Sequence, residues 1–308
     1  MKWKKLGRIF EPPKDKNWNQ LYAMMPTPVY LEDRGIIRVF FGTTDTNRFG
    51  RSSYIDLNSS DPTKVVYISP EPILDLGRVG TFDDSGVIAS SVVHLNSQFY
   101  LYYVGFQRTV NVPYMLFSGL AIGQLDCMKF TRYSESPIID RSRYNVFSNA
   151  APFVLYDDDA NLFKMWCWLG KEWISIRGKF YIKAEIGYAE STDGLSWSLA
   201  KNSCIIPREG SEFSVGRPWV KKLNHGYEMF YSVRWIDKLY RLGYARSEDG
   251  KDWIRDDENI GIDVSETGWD SEMICYPAVL TIKNRTFLFY NGNNNGETGF
   301  GVAELIED

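Results

Sequence analysis

Two stretches, Ile186-Gly-Tyr-Ala-Glu-Ser-Thr-Asp-Gly-Leu-Ser-Trp197 and Leu242-Gly-Tyr-Ala-Arg-Ser-Glu-Asp-Gly-Lys-Asp-Trp253, decide how the whole chain is read. They share G-Y-A-x-S-x-D-G-x-x-W, in which Asp-Gly suits a tight turn and the Trp is placed to pack back on a sheet. A weaker copy runs from Leu120-Ala-Ile-Gly to Asp126-Cys-Met-Lys-Phe130. Eight residues beyond the aromatic stands an apolar pair, Ile138-Ile139 after Phe130 and Ile205-Ile206 after Trp197. Self-similarity at a long period marks a repeat architecture.

Working outward, each copy follows a β-rich run, a polar turn and an aromatic strand. The runs are Pro28-Val-Tyr to Arg38-Val-Phe-Phe-Gly42, Ser91-Val-Val to Phe99-Tyr-Leu-Tyr-Tyr103, and Pro152-Phe-Val to Phe163-Lys-Met-Trp166. Pro218-Trp-Val to Tyr227-Glu-Met-Phe-Tyr231 and Pro277-Ala-Val to Thr286-Phe-Leu-Phe-Tyr290 complete the set. Their starts are separated by 63, 61, 66 and 59 residues. Breakers occupy every turn, among them Glu32-Asp-Arg-Gly35, Asp157-Asp-Asp-Ala-Asn161 and Asn224-His-Gly226. Each unit therefore reads as four antiparallel strands, and no segment carries a 3.6-residue apolar period, so little helix is expected.

The fifth unit stops at Gly299-Phe-Gly-Val-Ala-Glu-Leu305, its third strand. Trp3-Lys-Lys-Leu-Gly-Arg-Ile-Phe10 has the look of an orphan fourth strand, and pairing it with the last unit would close a ring and hide the sheet edges. The expectation is an all-β chain folded over residues 1–308 as a single five-bladed β-propeller, four antiparallel strands per blade. Two β-sandwiches would require neither a fixed period nor an orphan strand. The 10 Trp, 19 Tyr and 18 Phe, 15% of 308 residues, suit aromatic layers between blades.

A formal net charge of −4 argues against nucleic acid as a partner. Met1-Lys2-Trp3-Lys4-Lys5 is followed by no apolar run, so a secretory signal is not expected, and no stretch has the length and apolarity of a membrane span. Cys127, Cys167, Cys204 and Cys275 are scattered, which reads as reduced structural thiols in a cytoplasmic protein. His94 and His225 share no ligand spacing, so no metal site or cofactor is implied.

In a propeller the first strand of each blade lines the axis, and its start shares a face with the end of the second strand. That face would collect Asp84, Asn149, Arg217, Asp270, Glu272 and Tyr276 from before the first strands, and Asp45, Arg108, Arg234 and Asn293 from the ends of the second. Carboxylates, guanidiniums, amides and rings converging on one cleft suit an oligosaccharide or polysaccharide.

The five units, the S-x-D-G-x-x-W hairpins and the run Gly268-Trp-Asp-Ser-Glu-Met-Ile-Cys-Tyr-Pro277 continuing to Tyr290-Asn-Gly-Asn293 resemble the five-bladed propeller glycosidases. That superfamily includes arabinanases, β-xylosidases, invertases and β-mannoside phosphorylases, and the chain is most similar to glycosidase-like proteins of polysaccharide gene clusters. The resemblance implies a carbohydrate-active, glycoside hydrolase-like enzyme. It also implies a departure. Where arabinanases and β-xylosidases carry Asp-Pro in the first blade, this chain reads Thr27-Pro28; where they carry Glu in the third, it reads Asn149-Ala-Ala-Pro152. Their second-blade Asp has no counterpart in Ile88-Ala-Ser-Ser-Val92.

Glycoside cleavage needs one acid for the leaving oxygen and one carboxylate for water or the anomeric carbon. Blade position makes Asp84 and Glu272 the candidates for these roles. Asp83 and Asp270 follow an aromatic in two blades, which also fits turn capping. Arg217, before Pro218, is placed either to bind an acidic sugar or to bridge blades, and with Arg108 and Arg234 it would suit an anionic sugar or phosphate. The alternatives are a glycan-binding propeller without catalysis and a phosphorylase or transferase.

Overall fold

The structure, a computed structural model, describes residues 1–123 and 128–307, so Asp126 and Cys127 of the weak copy lie outside the described residues. Strand β1 spans Lys2–Phe10. It is followed by β2 (Leu21–Leu31), β3 (Ile36–Thr44), β4 (Gly50–Asn58) and β5 (Val65–Ile68), then β6 (Gly86–Leu95), β7 (Gln98–Arg108), β8 (Tyr114–Gly123) and β9 (Phe130–Arg132). A third set holds β10 (Asn149–Asp157), β11 (Leu162–Ile176), β12 (Lys179–Ser191) and β13 (Ser198–Leu199). The fourth holds β14 (Glu212–Leu223), β15 (Gly226–Trp235), β16 (Arg241–Ser247) and β17 (Ile254–Arg255), and the last β18 (Cys275–Ile282), β19 (Arg285–Asn291) and β20 (Phe300–Glu307). The chain is all-β; among the described residues helix is confined to single turns at Glu32–Arg34, Asp257–Ile260 and Asn293–Gly296.

Sequential strands pair antiparallel within each set, making four-stranded meanders. Single parallel bridges, Gly50 to Gly86 and Ala184 to Ser214, join the first meander to the second and the third to the fourth. The last set has three strands of its own, and β1 supplies the fourth: Lys2 pairs with Glu307 and Phe10 with Phe300. The apolar pairs recognised in the sequence dock as isolated bridges on the third strands, Ile139 against Ser118 and Ile205 against Ile186, with Leu74 against Ser52 in the first meander.

Every first strand carries a bulge, and the bulges fix which residues are equivalent. The register breaks between Met24 and Thr27, Ala89 and Ser91, Ala150 and Phe153, Gly216 and Trp219, and Cys275 and Ala278. Met25, Ala151, Arg217 and Tyr276 occupy these bulges with φ between 48° and 57°, each directly before a proline. Proline disfavours the right-handed helical region in the residue before it, and the bulge takes up the extra residue. The first-meander proline equivalent to Pro152, Pro218 and Pro277 is thus Pro26. The alignment on Thr27-Pro28 was two residues out of register, because Pro28 lies past the bulge, opposite Val39.

The residue opposite the first position after each bulge is aromatic: Phe40, Tyr102, Trp166, Phe230 and Phe289. Four of these meet a ring from the outer strand or turn of the following meander. Phe40 meets Phe130 at 6.0 Å, Tyr102 meets Trp197 at 5.9 Å, Trp166 meets Trp253 at 6.2 Å, and Phe230 meets Trp3 of β1 at 6.3 Å. Trp3 therefore does for the last meander what the motif tryptophans do for the third and fourth. Phe10 and Phe300 in turn pack on Phe41 of β3, at 4.9 and 6.0 Å. Second strands are covered on both faces, which is why they read as aromatic runs rather than as alternating patterns. Burying one such ring contributes about 2–3 kcal/mol.

The S-x-D-G-x-x-W loops hold this packing. Ser191 Oγ accepts from the Gly194 amide at 2.8 Å while Asp193 Oδ1 accepts from the Leu195 and Ser196 amides. Ser247 and Asp249 repeat the pattern on Gly250, Lys251 and Asp252. The glycine carbonyls, left pointing outward by φ of 72° and 79°, accept from Tyr102 Oη at 2.9 Å and Trp166 Nε1 at 2.7 Å. The motif is a fastener between neighbouring meanders.

Candidate functional site

Met25, Ala151 and Tyr276 from the bulges share an apolar cluster with Ile88, Leu116 and Trp168. Arg217, from the fourth bulge, is buried beside them. Its Nη1 donates to the Ser90 carbonyl at 2.8 Å, and its Nη2 to Thr27 Oγ1 at 3.0 Å and the Pro26 carbonyl at 3.3 Å. One guanidinium thus ties the fourth meander to the first and second through neutral oxygens. Burial lowers its pKa to about 9, so the group remains charged at neutral pH. Among the described residues its Nε has no partner, and neither does the nearby Ser90 hydroxyl.

A cavity of about 580 Å³ adjoins this cluster through the contact of Tyr240 with Tyr276. It is built by the overlong β11–β12 hairpin (Ile176, Arg177, Lys179, Tyr181), by Phe213, by the segment Arg234–Tyr240, and by Met273, Asn294 and Asn295. Arg234 forms its centre. Its guanidinium lies 4.7 Å from the Tyr240 ring, 5.0 Å from Tyr181 and 5.1 Å from Phe213. Lys238 Nζ sits 4.0 Å over Trp235. Tyr276 extends the aromatic wall, 5.9 Å from Tyr240, with its hydroxyl 3.5 Å from Asn295 Oδ1. Burial raises the phenols of Tyr114, Tyr240 (to about 12) and Tyr276, so they remain neutral donors. Asn294 and Asn295 take φ of 55° and 59°, a conformation asparagine tolerates better than most residues, and this sets both at the cavity wall.

The residues singled out in the sequence are placed unevenly around this site. Arg234 lines the cavity and Tyr276 reaches its wall, with Arg217 buried in the adjoining bulge layer. Asp84 accepts from the Gly80 amide at 3.0 Å and from Ser85 Oγ at 2.7 Å, which closes its own loop. Glu272 is exposed, and only its backbone is engaged, by Asn293 Oδ1 and Arg241. Neither carboxylate is among the cavity-lining residues. Asp45 caps its turn through the Phe49 amide at 2.9 Å, and Arg108 lies exposed over the Phe49 ring at 4.1 Å. Asn149 is fully buried, holding the Ser118 amide and the Ile139 carbonyl. Asn293 holds the Glu272 and Met273 amides and the Gly268 carbonyl; its neighbours Asn294 and Asn295 face the cavity instead.

Asp270 and Asp83 form matching clasps. Asp270 accepts from Lys5 Nζ at 2.7 Å and Tyr290 Oη at 3.0 Å, beneath Trp269 stacked on Tyr290 at 5.2 Å. Asp83 accepts from Arg132 Nε at 2.7 Å and Tyr103 Oη at 2.9 Å, beneath Phe82 stacked on Tyr103 at 5.9 Å. Lys5 on β1 stands for Arg132 on β9. Sequence reasoning missed Tyr114, Tyr181, Phe213, Tyr240, Asn294 and Asn295. The one available signal was the length of β11 and β12, 15 and 13 residues against 7 to 11 in the other central strands.

Cys167, Cys204 and Cys275 carry free thiols, the first two raised to about 12 by burial and the third also raised, which makes them unreactive. Among the described residues no group of three or more His, Cys, Asp or Glu is arranged to hold a metal ion, and no helix is long and apolar enough to cross a membrane.

No protein-family model matches the chain. It is 34% identical over 306 residues to "Uncharacterized protein Rv1502" of Mycobacterium tuberculosis strain H37Rv, with 99% of each chain covered. The same identity and coverage hold for "Uncharacterized protein MT1551" of strain CDC 1551. Among solved structures, a "Glycoside hydrolase" superposes with a TM-score of 0.75 at 17% identity, covering 98% of this chain and 90% of the other. A β-1,2-mannobiose phosphorylase from Listeria innocua superposes with a TM-score of 0.75 at 10% identity, covering 99% and 97%. A thermostable family-43 glycoside hydrolase gives a TM-score of 0.66 at 17% identity, covering 96% and 93%. The chain shares its fold with these glycoside hydrolase and phosphorylase structures.

Proposed function

This chain belongs to the same family as Uncharacterized protein Rv1502 of Mycobacterium tuberculosis, and we propose that it is a carbohydrate-active protein of glycosidase-like type, a single-domain five-bladed propeller that takes a saccharide in the 580 Å³ cavity. The blade count and closed ring are supported by the meander order and by the run of inter-meander ring contacts, with β1 and β20 packed against β3. The ligand class is supported by one observation above all: aromatic faces, phenol hydroxyls and two asparagine amides meet at one mouth. Rings cover the C–H faces of a pyranose, and amides and phenols exchange hydrogen bonds with its hydroxyls.

The cavity wall carries one carboxylate, the exposed Asp237, where cleavage requires an acid and a second carboxylate about 5–10 Å apart. This favours a saccharide-binding role over hydrolysis by a wall-borne pair. In the hydrolytic alternative, Asp84 and Glu272 remain the acid and base. Calorimetry against an oligosaccharide panel, with product analysis of the same mixtures, separates the two. Binding without product, weakened about tenfold or more by Trp235→Ala, supports the binding role. Turnover abolished by Asp84→Asn and by Glu272→Gln supports the hydrolytic one. A folded protein that binds no saccharide overturns both.

A further inference from the structure

We propose that the saccharide taken in this cavity carries an oxyanion, a carboxylate or a phosphate, and that Arg234 reads it; the inference rests on the saccharide reading above. Other sheltered arginines of the chain have oxygen partners, neutral carbonyl and hydroxyl oxygens for Arg217 and carboxylates for three more. Arg38 meets Asp56 at 2.8 Å, Arg132 meets Asp83 at 2.7 Å, and Arg255 meets Glu212 at 2.8 Å and Asp257 at 2.6 Å. Arg234 meets only the rings of Tyr181, Phe213 and Tyr240, and among the described residues its guanidinium has neither ion pair nor hydrogen bond. Ring faces desolvate a guanidinium and attract it through their quadrupoles, but they satisfy none of the five N–H donors lying in its plane. Those donors form a fork whose best complement is a two-oxygen anion.

The surrounding charge agrees. Arg177, Lys179 and Lys238 line the same cavity, all exposed and none in an ion pair among the described residues, against Asp237 alone. A chain of net charge −4 thus concentrates positive charge at one mouth, and charge of one sign in a cleft draws in ligands of the other. Tyr114 and Tyr276, whose burial keeps them protonated, can donate but cannot supply the missing anion.

The test is calorimetry on the full chain with glucuronic acid and glucose 6-phosphate against glucose, and with inorganic phosphate alone, at low and high salt. The acidic sugars are expected to bind at least tenfold more tightly than glucose, with an advantage that shrinks as salt rises. Arg234→Gln is expected to remove that advantage, so that the acidic sugars bind no more tightly than glucose does to the same variant. Preference for glucuronic acid or for the phosphate ester identifies the anion. Equal affinity for charged and neutral sugars, or an advantage that survives Arg234→Gln, overturns the proposal. Should Arg234→Gln not fold, Lys179→Gln combined with Lys238→Gln, both at exposed positions, is expected to reduce the salt dependence, and an unchanged dependence counts against the proposal. Phosphate binding without any sugar binding supports the anion site and overturns the saccharide reading.

Discussion

The Asp270 clasp and the Arg234 cavity are two solutions to sheltering a charge, and they differ in one respect. Asp270 is wholly buried and spends its carboxylate on Lys5 and Tyr290, and Asp83 does the same with Arg132 and Tyr103. Arg234 is enclosed by rings and, among the described residues, left with its donors unused. A charge with its partners in place belongs to the fold, whereas a sheltered charge without them is held for something that arrives. The contrast also explains why Asp270, attractive as a sugar contact in the sequence, is engaged elsewhere.

Breaking the saturated side should have the largest effect. Asp270→Ala strands the Lys5 ammonium and the Tyr290 hydroxyl, and urea unfolding is expected to show a loss of about 3–5 kcal/mol, with Asp83→Ala close behind. A loss below about 1 kcal/mol in both would undo the contrast. Next comes Asp157, which accepts from Lys164 at 2.7 Å, Lys222 at 2.5 Å and Tyr227 Oη at 2.9 Å. Burial alone would raise its carboxyl, but these donors hold it well below the usual carboxylate range. A pKa depressed on folding stabilises above the unfolded value near 4, and the contribution is lost as pH falls below it. Stability should therefore drop by about 2 kcal/mol between pH 5 and pH 2 through this group, and Asp157→Asn should flatten that part of the profile.

A smaller loss is expected at the fasteners. Gly250 has φ of 79° and a Cβ there would stand 3.0 Å from Trp166, so Gly250→Ala should lower stability by roughly 1–2 kcal/mol in thermal melts. Least of all, Arg234→Gln, which forfeits ring contacts but no ion pair among the described residues, should change stability by about 1 kcal/mol or less while reducing binding of acidic sugars. A strongly destabilised Arg234→Gln would move that arginine to the saturated side of the comparison.

The meanders were legible because each repeats the same local chemistry: a breaker-rich turn, an aromatic second strand, and Asp-Gly before Trp. Even Trp3 could be assigned its role from spacing alone. The bulges were not legible, since Pro26 and Pro28 both offer a proline and only the register against β3 shows which one follows a left-handed residue. The proposed cavity overlaps the sequence reading only in part, for a related reason. Arg234 and Tyr276 follow from strand ends, but the cage combines Tyr181, Phe213 and Tyr240 from two meanders, and no local pattern announces such convergence. Asn293 against Asn294 and Asn295 was decided by two successive left-handed residues, which a run of asparagines permits without specifying.

Pairing of β1 with β20 also sets a schedule. Lys2 and Glu307 are partners 305 residues apart, so this pairing forms only once strands distant in sequence have met. Until the two meet, β1 carries Trp3 and Phe10 without the cover they have in the finished sheet, and the last meander lacks an outer strand. The other meanders can form from local contacts, whereas completion of the sheet that holds β1 and β20 waits on a pairing of high contact order. Folding of this molecule thus has local meanders to build and one long-range pairing to add to them.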